Sequence, residues 1–154
     1  FPKTHLEEVI EIMDTKTYLQ QISRLDRMIN NKLSEIQQFR ELARSVSAVK
    51  NEERVKTSPD FDKMGSTYCK IEKMEKELDD LIDTYVDKKN LIVSQIDGID
   101  NETYYHILFA RYVEKKTFEK IADETTYSFR NTTRLHGRAL QEFEKKYGKT
   151  YKLS

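Results

Sequence analysis

The chain has 154 residues, with 27 Lys+Arg against 27 Asp+Glu, so its formal net charge is zero. Apolar residues make up 37% and charged residues 35%, with only 4 Gly and 2 Pro, a balance that suits long solvated helices and argues against a thick β-sandwich or a doubly wound sheet. The single cysteine, Cys69, excludes an intramolecular disulfide framework and a multi-cysteine zinc site, and no apolar run exceeds four residues, far below the roughly 20 that span a bilayer.

Met13-Asp14-Thr15-Lys16-Thr17 reads as a start followed by a helix cap, so residues 1–12 are taken as an upstream extension outside the functional argument. From Tyr18 to Val46 apolar residues recur every three or four positions (Tyr18, Ile22, Leu25, Ile29, Leu33, Ile36, Phe39, Ala43, Val46), which predicts one helix of about 30 residues. Residues 47–59 lack this periodicity and end in Thr57-Ser58-Pro59-Asp60, a turn-and-cap signal. A second stripe follows through Met64, Ile71, Met74, Leu78, Leu81, Tyr85, Ile92 and Ile96; Gly65 suggests that this helix begins only after it. Neither helix can bury its stripe alone, so the two should fold back as an antiparallel, coiled-coil-like hairpin over residues 13–100.

Gly98 and Asn101 mark the end of the second helix and the cap of the next. Beyond them the helical segments shorten to 102–113, 117–125 and 128–147, joined by short links, as in a three-helix helix-turn-helix domain (101–147) followed by a basic tail (148–154). In this domain Thr117 is the cap, Phe118 and Ile121 face the core, and the small Ala122 permits a close helix crossing. Residues 125–128 make the turn, with Ser128 capping the last helix. Thr132, Leu135, Ala139, Leu140 and Phe143 form that helix's inward stripe, and Arg130, Asn131, Thr133, Arg134 and Arg138 remain outside. Tyr104, Tyr105 and Tyr112 fall at core-like spacing.

The neutral total conceals a segregation of charge. Residues 103–154 hold eleven basic against six acidic groups, a net +5, and residues 1–102 carry −5. Arg130, Arg134 and Arg138 repeat every four residues along one side of one helix. One reading is a solvated basic face near a helix C-terminus; the other is a helix that meets phosphates and base edges, with Arg bidentate to guanine. An apolar back with long polar side chains near the N-terminus is what a recognition helix requires.

The stretch Ile107-Leu108-Phe109-Ala110-Arg111-Tyr112, Thr117-Phe118-Glu119-Lys120-Ile121-Ala122, Tyr127-Ser128 and Arg134-Leu135-His136-Gly137-Arg138-Ala139-Leu140 resembles the promoter-reading region of sigma-70-type sigma factors. It is still more similar to small phage-encoded proteins of Gram-positive bacteria related to the RinA and ArpU transcriptional regulators, many known only as a domain of unknown function. Arg54-Val55-Lys56-Thr57-Ser58-Pro59 resembles that family too. The resemblance implies a DNA-binding regulator of phage late or packaging genes, with recognition positions at Arg130, Asn131, Thr133, Arg134 and Arg138. The chain departs from the pattern where Gly is usual, at Lys115 and at Thr126 in the turn, and where a Val-type core residue is usual, at Thr132.

His5, His106 and His136 have no metal-ligand spacing, and His136 is read as a packing or phosphate-contact residue. Acidic residues of 72–87 alternate with lysines and read as a solvated helix face. No phosphate loop, nucleophile elbow or paired-carboxylate motif is present, so no enzyme activity, cofactor or metal is expected. The expectation is an all-α, cytoplasmic regulator in a bacterial host that binds double-stranded DNA through Arg130, Asn131, Thr133 and Arg134, and holds phosphates with Arg138, Lys145 and Lys146. The acidic hairpin would serve homodimerisation or docking on RNA polymerase, with no membrane partner. The alternatives are an adaptor or anti-regulator acting through protein contacts, and a small-terminase-like packaging subunit.

Overall fold

In a computed structural model of the chain the described residues are 2, 4–52 and 61–152, and all regular structure among them is helical. The elements are α1 (His5–Leu19), α2 (Gln21–Glu52), α3 (Phe61–Asp97), α4 (Glu102–Leu108) continued by a π-helical turn (Phe109–Val113), α5 (Phe118–Glu124) and α6 (Phe129–Lys152). They divide into two compact units, one of residues 1–24 and 86–154 and the other of residues 25–85.

The first helix overturns two expectations. Thr4 and Glu7 form a capping box, with the Glu7 amide donating to Thr4 Oγ1 (3.3 Å) and the Thr4 amide to Glu7 Oε2 (3.0 Å), so α1 starts at His5 and Met13–Thr17 lie inside it. The single helix expected from Tyr18 to Val46 is broken at Gln20, which caps α1; Tyr18 belongs to α1 and the rest of the stripe to α2. Thr57-Ser58-Pro59-Asp60 and the Arg54–Pro59 resemblance lie outside the described residues, as does the side chain of Met64. Gly65 does not delay α3, which is already helical at Phe61: one glycine costs a 37-residue helix only about 1 kcal/mol.

In the unit of residues 25–85, α2 and α3 run antiparallel. Lys32 Nζ meets Glu77 Oε2 at 3.0 Å and Arg40 pairs with Glu75, so rising numbers on one helix meet falling numbers on the other. Ile36, Ile71 and Met74 are buried between them, whereas Leu33 and Val46, expected in the stripe, are exposed along with Leu42, Tyr68 and Ile82. Two helices cannot enclose all the apolar positions of both stripes.

In the other unit α6 is central, packed against α1, α4 and α5. Tyr18 stacks on Tyr151 (ring centres 4.1 Å apart), Thr15 Oγ1 lies 2.7 Å from the Tyr151 hydroxyl, and the Tyr18 hydroxyl donates to Gln95 Oε1 at 2.7 Å. The expected tail is therefore helical as far as Lys152, because Tyr151 is part of this packing. Gly98 ends α3 without a left-handed conformation; its value is space, since a Cβ there would collide with the Tyr147 hydroxyl. Asn101 caps α4 as expected, accepting from the Tyr104 amide at 3.1 Å. Tyr112 is buried, whereas Tyr104 and Tyr105 are only half-buried. The helix-turn-helix is thus not a separate body of residues 101–147: residues 1–24 and 86–100 share its compact unit.

Candidate nucleic-acid interface

The π-helical turn re-aims the chain ahead of α5. The Glu114 amide reaches back to the Phe109 carbonyl (3.0 Å) and the Lys116 amide to that of Ala110 (3.0 Å), and the segment ends with Lys115 at φ 58°. Lys115 thus occupies the left-handed region that favours glycine, at the position where the resemblance expects one. Thr126 has no positive φ, so the absence of glycine in the turn costs nothing there.

Four residues lock the unit around this turn. The Arg111 guanidinium sits 4.3 Å from the centre of the Phe118 ring and donates from Nη1 to the Lys116 carbonyl (3.0 Å). Tyr112 Oη and His136 Nε2 are 2.8 Å apart, and Phe118 meets the His136 ring edge-on at 4.8 Å. Burial first, then the charges of Lys16 and Arg111, push His136 down to about 4, while burial raises the Tyr112 hydroxyl. His136 is consequently a neutral core residue and is not placed to touch phosphate. It takes the buried position expected of Leu135, which is half-buried. Lys116 Nζ spans Glu114 (3.1 Å) and Glu124 (2.7 Å), tying the ends of the π turn and α5.

Local hydrogen bonds fix α5 and α6. Thr117 Oγ1 accepts from the Lys120 amide (3.2 Å), and the Thr125 hydroxyl donates to the Ile121 carbonyl (2.9 Å) while accepting from the Tyr127 amide (3.4 Å). Ser128 Oγ accepts from the Asn131 amide (3.1 Å), so Ser128 is the expected cap of α6. Thr132 is completely buried, its hydroxyl donating to the Ser128 carbonyl at 2.9 Å; threonine here fills a valine-shaped space with its polar atom satisfied.

The structure brings most of the expected surface residues together. Arg130, Arg134, Arg138 and Lys145 are exposed on one side of α6. Asn131 Oδ1 accepts from both Nε (3.1 Å) and Nη2 (2.7 Å) of Arg134, and the Thr133 hydroxyl donates to the Arg130 carbonyl at 2.9 Å. Lys146 stands apart: one residue beyond Lys145, it is turned about 100° around the helix and bonds to the Gly98 carbonyl. From Arg130 to Lys145 the helix rises about 22 Å, more than the roughly 12 Å width of the DNA major groove, so the N-terminal half suits base edges and the distal charges suit flanking phosphates.

Two features were not singled out from the sequence. Phe129, the first residue of α6, is 50% exposed beside an open groove of about 430 Å³ lined by Glu119, Ala122, Asp123, Tyr127 and Ser128. Its place directly after the Ser128 cap was the available signal. Gly137 lies among the arginines, and a Cβ there would meet nothing within 4 Å. Among the described residues, no group of three or more His, Cys, Asp or Glu is placed to hold a metal ion, Cys69 is an exposed thiol, and no helix is long and apolar enough to cross a membrane. No family model, no curated protein and no solved structure matches the chain.

Proposed function

We propose that the chain is a double-stranded DNA-binding regulator of transcription, of the phage or prophage kind suggested by its resemblance to the RinA and ArpU regulators, and that it reads the major groove with α6. The observation that carries the reading is Arg134. It stands exposed in the N-terminal half of a helix whose back is fixed to a helix-turn-helix, and its Nε edge is held by Asn131, which restrains the guanidinium and leaves its Nη1 side for a ligand. A pre-ordered guanidinium loses less entropy on bonding to guanine O6 and N7. Arg130 and Thr133 assist, and Arg138 and Lys145 hold phosphates. The setting is the cytoplasm of a bacterial host.

Exposed Leu33, Leu42, Val46, Tyr68 and Ile82 support an association role for residues 25–85, in a homodimer that pairs two reading heads or in docking on RNA polymerase. Exposed Glu119 and Asp123 on α5 favour a second reading, an adaptor acting through protein contacts, since carboxylates there repel phosphate. Selection of bound sequences from a random duplex pool at two salt concentrations separates the two. A recovered motif supports site-specific regulation, and no binding at low salt refutes DNA reading.

A further inference from the structure

The geometry points to Phe129 as a specificity-determining residue that packs against a thymine C5-methyl in the major groove. The inference rests on the DNA-reading role proposed above. Phe129 is the first residue of α6, adjacent to Arg130, and half of it is exposed although the side chains following it on the inner face, Thr132, His136 and Phe143, are buried. Its packing inside the unit therefore accounts for only part of the ring.

The groove beside the ring selects the occupant. Glu119 and Asp123 line it together with Ala122, Tyr127 and Ser128. Two carboxylates make this groove hostile to the DNA backbone, so a duplex seated on α6 presents base edges here, with its phosphates left to Arg138 and Lys145. On a base edge the apolar feature is the thymine methyl, which an aromatic ring fits, while exocyclic amino groups of cytosine or adenine are donors that carboxylates accept. Arginine supplies guanine contacts from the same turn, so Phe129 and Arg130 would read neighbouring positions with opposite chemistry.

The test uses the full chain and the duplex recovered by selection. Each thymine is replaced singly by deoxyuridine, which removes one methyl and leaves every hydrogen bond intact. Wild-type protein should lose about fourfold in affinity at one position, the worth of one buried methyl, and F129A should bind both duplexes equally. F129L, which keeps apolar bulk, should retain the discrimination, and thermal unfolding of both variants checks that they fold. Methyl-independent binding by the wild type, or discrimination persisting in a folded F129A, overturns the inference; either result, with R134A still weakened, leaves DNA reading standing. Absence of any duplex binding by the wild type overturns both.

Discussion

Asn131 Oδ1 accepts two hydrogen bonds from the guanidinium of Arg134, three residues along the same exposed turn of α6. The pair divides the work: Asn131 orients, and Arg134 faces outward. R134A should weaken binding to the selected duplex by about 1–3 kcal/mol and relax preference at one base position. N131A should cost less, about 1 kcal/mol, while blurring the same position, because the arginine remains but is no longer held. Titrations against duplexes varied at that position measure both; preference lost at different positions would break the pairing.

The split between Lys145 and Lys146 gives a salt-dependence prediction. If Arg138 and Lys145 meet phosphates, alanine at either should reduce the slope of log affinity against log salt by about 0.9. K146A should leave the slope unchanged and instead lower the melting temperature, since it removes the bond to the Gly98 carbonyl.

Acid should destabilise the fold through His136. Its folded pKa, near 4, lies below the ordinary 6.5, so the unfolded chain binds the proton more readily. The stability of the neutral buried ring is complete above about pH 6.5 and is lost as pH falls towards 4, by at most about 3 kcal/mol. Denaturant titrations between pH 7 and 4 should show this decline, and H136F should flatten it. A Y112F variant, which leaves His136 Nε2 buried without its partner, should cost about 1–3 kcal/mol at pH 7.

Lys115 at φ 58° should be improved by glycine. K115G should gain about 0.5–1 kcal/mol in chemical denaturation, the left-handed penalty of a side chain less the extra freedom of an unfolded glycine. Loss of stability would mean that the Lys115 side chain contributes more than its backbone costs.

Gly137 is the converse case. Among the described residues nothing beyond its own stretch of helix lies within 4 Å of its Cβ position, so G137A should stabilise α6 by about 0.5–1 kcal/mol. It lies among Arg130, Arg134 and Arg138, where a nucleic-acid surface would approach the backbone, so the same variant should bind the selected duplex less tightly. Higher stability with unchanged affinity would place the contact elsewhere on α6.

The all-α fold, the caps at Thr117 and Ser128 and the outward arginines were legible because each is local: cap chemistry and helical periodicity act within a few residues. The break at Gln20 was not legible, since the apolar spacing continues through it, and neither was the stacking of Tyr18, on the α1 side of the break, on Tyr151, 133 residues away. The same holds for His136, read from type and spacing as interchangeable between core and phosphate until Tyr112 and Phe118 closed around it. At Thr126 the absence of positive φ shows that the departure from glycine is harmless, and the one that matters is Lys115. The compact unit drawn from 1–24 and 86–154 was invisible to a linear partition, because contacts distant in sequence define it.

That unit has a consequence for how the molecule can change. Residues 25–85 are, in chain order, an insertion between the two parts of one folded body. Whole helical turns added to or removed from the 25–85 segments of α2 and α3 together leave the internal contacts of the other unit as they are. The arginine face and the length of the hairpin are then independently variable, so relatives with hairpins of different reach would keep the same α6.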